Sequence, residues 1–220
     1  MNKKAIIDVF ILLIVFWVSW YFRSLFPVAF QGSFIVITTS IAAFVILKLR
    51  HLSFNHIGLI KRSADKVFAK EVIFVAVLIF AVQFIGILIT TALFGSPEVG
   101  NAVTSQPKTL IGFLLDNIFV VWIITGFGEE FIFRGIILNR LKAVFANHNH
   151  KFIIYLISGI QALWFGSGHQ SQGISGIITA GLIGYALGIY ILKNPKRGLW
   201  PLIIAHGLID TILLTIYFIK

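Results

Sequence analysis

Two carboxylates, Glu129 and Glu130, stand side by side in Gly126-Phe127-Gly128-Glu129-Glu130-Phe131-Ile132-Phe133-Arg134-Gly135, a segment otherwise fit for lipid. The chain has only 8 acidic residues, and two of them are spent here. A carboxylate at bilayer depth costs roughly 2.5–3.5 kcal/mol on insertion scales, so it persists with a partner or with a function. Arg134 follows Glu130 by four residues, shares its helical face and can neutralise it. Glu129 has no such neighbour, and its chemistry is the question. His169 comes after Leu163-Trp164-Phe165-Gly166-Ser167-Gly168, and His206 and Asp210 lie four apart on one face of the last apolar stretch. Any one of these taken alone is as readily a packing residue with a hydrogen-bond partner. Together they are disfavoured at depth unless they meet in one site, and convergence is the expectation.

Two chemistries fit that set. In the first, a carboxylate whose proton affinity is raised by apolar surroundings takes a proton from water, His169 orients that water, and His206 stabilises the oxyanion of an attacked amide. In the second, a carboxylate such as Glu130 joins His169 and His206 as a His₂Glu zinc site with an open fourth position, and the other carboxylate is the base. The residue types allow both, so zinc stands as an optional cofactor and no other cofactor is indicated. The chain contains no Cys, which excludes a disulfide framework and thiolate chemistry.

The elements that must position these groups are membrane helices. Apolar residues make up 58% of the chain and charged residues 12%, the mean hydropathy is +0.96, and soluble domains run near 25% charged. Apolar runs long enough to cross a bilayer are expected over Ile6–Phe22, Val28–Leu47, Val72–Phe94, Leu110 to about Leu138 with an interruption at Gly126 and Gly128, Phe152–Phe165, Ile174–Leu192 and Leu199–Ile219. The fold class is therefore an all-α polytopic transmembrane bundle of about seven spans, six to eight. Lys3 and Lys4 precede a run that could pass for a signal peptide, but Trp17, Trp20, Tyr21 and Phe22 occupy the place of a small-residue cleavage site. A retained helix is expected.

Charge assigns the sides. Lys48, Arg50, Lys61, Arg62, Lys66 and Lys70 crowd the second connection, Arg140, Lys142 and Lys151 the fourth, and Lys193, Lys196 and Arg197 the sixth. The alternate connections hold Arg23, then Glu98 and Lys108, and no charge over Gly166–Gly173. With a cytoplasmic N-terminus and seven spans all basic loops fall on the cytoplasmic side of a cell membrane. The net charge of +10 then reflects topology and contact with anionic lipid, not nucleic-acid binding. His51 and His56, and likewise His148 and His150, read as solvated loop histidines. Gly184 and Gly188 form a GxxxG pair, read as close helix packing. His169 lies 18 residues from Lys151, about 27 Å along a helix, while Glu129 and His206 lie about 13–17 Å from the basic side. Helix five must tilt, start late or break at Gly166-Ser167-Gly168, and the break is favoured because it would line a cavity.

In this order and on successive helices, Glu129-Glu130-x-x-x-Arg134, Phe165-x-x-x-His169 and His206-x-x-x-Asp210 resemble the three motifs of the CPBP family. That family groups CAAX-processing type II prenyl endopeptidases with bacteriocin-processing and immunity membrane proteins. The resemblance covers roughly residues 108–215, giving motif-free N-terminal helices over 1–107 and a catalytic helical core over 108–220. It implies an intramembrane endopeptidase, glutamate- or metal-dependent, with Glu129 as the water-activating base beside His169. Glu130 and Arg134 would be a supporting pair, and His206 with Asp210 the oxyanion side. Many relatives have Asn where this chain has Asp210. An ionised Asp cannot donate to an oxyanion, so Asp210 would be protonated, would orient His206, or would help hold a metal.

The substrate implied is a membrane-associated or leader-bearing peptide or protein, bound by a protein embedded in lipid. The competing expectation is a non-catalytic bacteriocin immunity or adaptor protein built on the same bundle. A transporter is a third, and the two related halves with broken helices that would signal one are lacking.

Overall fold

The computed structural model describes residues 2–95, 107–146 and 151–219. No strand occurs among them. Among the described residues are seven apolar helices: α1 (Lys3–Phe22), α2 (Val28–Leu49), α3 (Lys66–Phe94), α4 (Leu110–Val144), α5 (Phe152–Ser167), α6 (Gly173–Lys193) and α7 (Trp200–Phe218). All but α5 are long and apolar enough to cross a membrane, and the protein is a multi-pass membrane protein. The bundle pairs α1 with α2, α5 with α6, and α3 with α6 and α7, while α4 runs between α2 and α7. His148 and His150 lie outside the described residues. His51 and His56 are exposed, as expected of loop histidines, and His56 closes a short turn by accepting the Ser53 N–H on Nδ1.

Helix α4 departs from the sequence expectation. Gly126 and Gly128 do not interrupt it; it continues to Val144, and from Asp116 to Ile137 it winds wider, with π-type hydrogen bonding. At the end of that stretch the Leu138 N–H donates to the Phe133 carbonyl, five residues back. The glycines serve approach instead. A Cβ on Gly126 would sit 3.4 Å from the Gly207 backbone of α7, so these two helices meet main chain to main chain. Without a hydrophobic force between helices in lipid, such close packing is a main source of cohesion. The same logic joins α5 to α6, where Gly166 faces Gly181 and the Gly184 and Gly188 pair faces Ser158, Gln161 and Ala162.

The bundle is closed at one end. Ile132, Ile136, Ile137 and Leu138 of α4 are almost fully buried together with Leu199 and Leu202. This is the end that carries the basic connections, and two ion clusters fasten it. Asp8 of α1, 1% exposed, takes Arg50 from the end of α2 at 2.7 Å and Arg140 of α4 at 3.6 Å. Glu71 of α3 pairs with Arg62 and holds Arg197 at 3.6 Å, while Arg62 also donates to the Arg197 carbonyl. Helix α5 explains how His169 reaches the site. Its 16 residues span about 24 Å, short of a hydrocarbon core of roughly 30 Å. It stops at Ser167, within the Gly166-Ser167-Gly168 sequence where a break was expected.

Candidate active site

Each site residue owes its position to one of the last four helices. Glu129, Glu130 and Arg134 ride on the widely wound part of α4, His169 follows the end of α5, and His206 and Asp210 lie on α7. The two adjacent glutamates part company. Glu129 is half-buried and faces a cavity of about 400 Å³, whose wall it shares with His169, His206 and Asp210. Glu130 is fully buried behind that wall. Its Oε1 lies 3.2 Å from Arg134 Nη1, as the four-residue spacing predicts, and accepts the Nδ1–H of His206 at 3.0 Å.

Proton positions follow from partners that can only accept. A carboxylate holds the His206 proton on Nδ1, and the Nε2 edge lies 3.5 Å from Asp210 Oδ2. Asp210 also accepts from the Thr125 hydroxyl at 3.1 Å. His169 donates from Nδ1 to the Phe165 carbonyl at 2.9 Å, which leaves Nε2 of the neutral ring as an acceptor. Glu129 makes no hydrogen bond to another described residue. A water between Glu129 and His169 would therefore find two acceptors for its two protons.

Phe165 does more than precede the histidine in its motif. Its ring lies under the Arg134 guanidinium, 4.3 Å from centroid to carbon, and packs edge-on against Phe133 at 5.0 Å. Arg134 is 3% exposed, and an aromatic face attracts such a desolvated cation. Gln83 of α3 and Ser33 of α2 are further polar wall residues, both outside the motif-bearing segment. Sequence reading passed over them because a single Gln or Ser in an apolar helix has no spacing signal.

A zinc site needs three protein ligands that converge on one point. Among the described residues no three of His, Asp and Glu come together as ligands for one ion. Glu130 is committed to a guanidinium and to His206, and His206 has a carboxylate at each nitrogen. The set Glu130, His169 and His206 does not fit a zinc ion in this arrangement.

No curated protein and no solved structure matches the chain. Residues 111–212 match the family model described as Type II CAAX prenyl endopeptidase Rce1-like, consistent with the CPBP resemblance of the motifs. All six candidate site residues fall inside that stretch, and over it the chain is similar to the Rce1-like type II CAAX prenyl endopeptidases.

Proposed function

We propose that the protein is an intramembrane endopeptidase of the cell membrane that hydrolyses a peptide bond of a membrane-associated or leader-bearing substrate by a glutamate mechanism. The observation that carries this reading is the division of labour between neighbouring carboxylates: Glu129 faces the cavity with His169, while Glu130 is bound behind it to Arg134 and His206. Glu129 takes a proton from a water that His169 Nε2 holds by its other proton. The resulting hydroxide adds to the carbonyl carbon, and its former double-bond electrons move to oxygen. His206 carries a second proton on Nε2 beside the one it donates from Nδ1 to Glu130, and this imidazolium, balanced by Asp210, stabilises that oxyanion. Glu129 then passes its proton to the amide nitrogen, the oxyanion electrons re-form the C=O bond as the C–N bond breaks, and a carboxylic acid and an amine leave. Glu130 and Arg134 touch no reacting atom in this scheme and act by positioning His206.

Helices α1 to α3 carry no family motif, yet Phe16, Val36 and Gln83 wall the cavity. The N-terminal segment thus forms part of the substrate chamber. The test is cleavage of a peptide library by purified protein in nanodiscs, comparing wild type with a folded Glu129→Gln variant, each with and without a metal chelator. Cleavage that is lost in the variant and indifferent to the chelator supports the glutamate mechanism. Chelator-sensitive cleavage rejects it in favour of a metal. Full biological activity of Glu129→Gln in cells rejects catalysis altogether, in favour of a binding role such as immunity.

A further inference from the structure

The chamber has a floor and a mouth, and they lie at opposite ends of the bundle. The floor is the buried layer of Ile132, Ile136, Ile137 and Leu138 with Leu199 and Leu202, all at most 1% exposed. Beneath it the Asp8 and Glu71 ion clusters tie α1, α3 and α4 to the basic connections. The mouth is formed by residues from the other end. Gly32, near the start of α2, is exposed with open space where a side chain would stand. Ser171 and Gln172, in the connection between α5 and α6, are exposed and line the same cavity. Those connections are the ones nearly free of charge, whereas Lys48 to Lys70, Arg140 to Lys151 and Lys193 to Arg197 mark the other end.

Basic residues in short connections stay on the cytoplasmic side. We infer that the chamber opens to the extracytoplasmic face and admits an extended, uncharged peptide segment presented from there. The inference builds on the endopeptidase reading for what is cut, but the direction of opening stands on the floor, the mouth and the charge asymmetry alone. The extended form follows from the wall chemistry. Ser33, Gln83, Ser171 and Gln172 offer neutral donors and acceptors, which suit backbone N–H and C=O groups. A helical segment has already satisfied those groups internally. Gly32, Ser171 and Gln172 carry no charge, so a charged side chain would find no counter-ion among them. The substrate class is then a segment that has already crossed or emerged from the membrane, rather than a cytosolic chain end.

The absence of Cys makes the test direct. Ser171→Cys and Gly32→Cys place a sole thiol at the mouth, and Asn55→Cys places one in the exposed connection between α2 and α3 at the basic end. Expressing cells are treated with a charged, membrane-impermeant thiol reagent, intact or permeabilised. The expected result is labelling of both mouth variants in intact cells and of Asn55→Cys only after permeabilisation. The reverse pattern, or labelling of all three in intact cells, overturns the inference. Two mouth positions guard against one variant failing to fold. In nanodiscs, labelled Ser171→Cys should lose at least tenfold in cleavage rate relative to the unlabelled variant; an unchanged rate overturns the mouth as the substrate path. The two readings fail separately. Labelling as expected without any wild-type cleavage removes the endopeptidase and keeps the opening, while cleavage with reversed labelling removes the opening and keeps the endopeptidase.

Discussion

The Arg134 guanidinium rests 4.3 Å above the centre of the Phe165 ring, and the carbonyl of that same phenylalanine accepts the Nδ1–H of His169 at 2.9 Å. One residue thus holds the buried cation of the first motif with its ring and the histidine of the second with its backbone. Phe165→Leu keeps an apolar side chain and removes the π face. It should lower stability by about 0.5–2 kcal/mol, the range for a desolvated cation over an aromatic ring, read as a lower unfolding midpoint in detergent. It should also reduce kcat with little change in KM, since Phe165 positions groups instead of supplying them. An unchanged midpoint and kcat would show that the contact carries no energy.

Adjacent glutamates should fail in different ways. Glu129→Gln removes a general base from the cavity wall, so kcat should drop at least about 100-fold while the unfolding midpoint stays near wild type. Glu130→Gln strips a buried arginine of its counter-ion, a loss of about 3–5 kcal/mol, and should appear first as poor folding. Equal folding defects in the two variants would contradict the separation of their roles.

The Asp8 cluster makes a prediction far from the site. Asp8→Asn leaves Arg50 and the mostly buried Arg140 without their shared carboxylate. Removing one partner of a buried pair costs about 3–5 kcal/mol, and the partial exposure of Arg50 places this case at the lower end. Thermal unfolding of the purified variant measures it, and restoration by the additional change Arg140→Met would show that the unpaired charge is the cause.

Two glycines of α5 provide a packing control. A Cβ on Gly166 would press on the Ile177 carbonyl and sit 3.1 Å from the Gly181 Cα, whereas one on Gly159 would meet its nearest neighbour only at 4.0 Å. Backbone cannot swing aside, so Gly166→Ala should cost about 1–3 kcal/mol as overpacking does. Gly159→Ala should be neutral or mildly stabilising, by up to about 1 kcal/mol from helix propensity. Similar midpoints for both variants would count against close α5–α6 approach.

The helices, and the gathering of the candidate residues at one cavity, were largely legible in the sequence because each polar group interrupts an apolar run at helical spacing. Glu130 and Arg134 are four apart and meet; His206 and Asp210 are four apart and meet. Asp8 and Glu71 were not legible, although each is an acid at the edge of an apolar run. Asp8 finds Arg50 at a separation of 42 residues, and no local pattern encodes such a pairing. Nor was the wide winding of α4, since Gly126 and Gly128 read as an interruption. What keeps the helix continuous is main chain from α7 and the Val36 side chain of α2 packed against those glycines, a tertiary circumstance. The commitment of Glu130 Oε1 to both Arg134 and His206 was likewise invisible, and with it the misfit to zinc.

Ion clusters at one end and a mouth at the other give the bundle a fixed base and free tips. Helices that fan apart to admit or release a chain would turn about the Asp8 and Glu71 anchors, as blades turn on a rivet. Displacement then grows with distance from the rivet. The end at Gly32 and Ser171 would then yield more than Glu130 and Arg134, which sit on α4 nearer the anchored base.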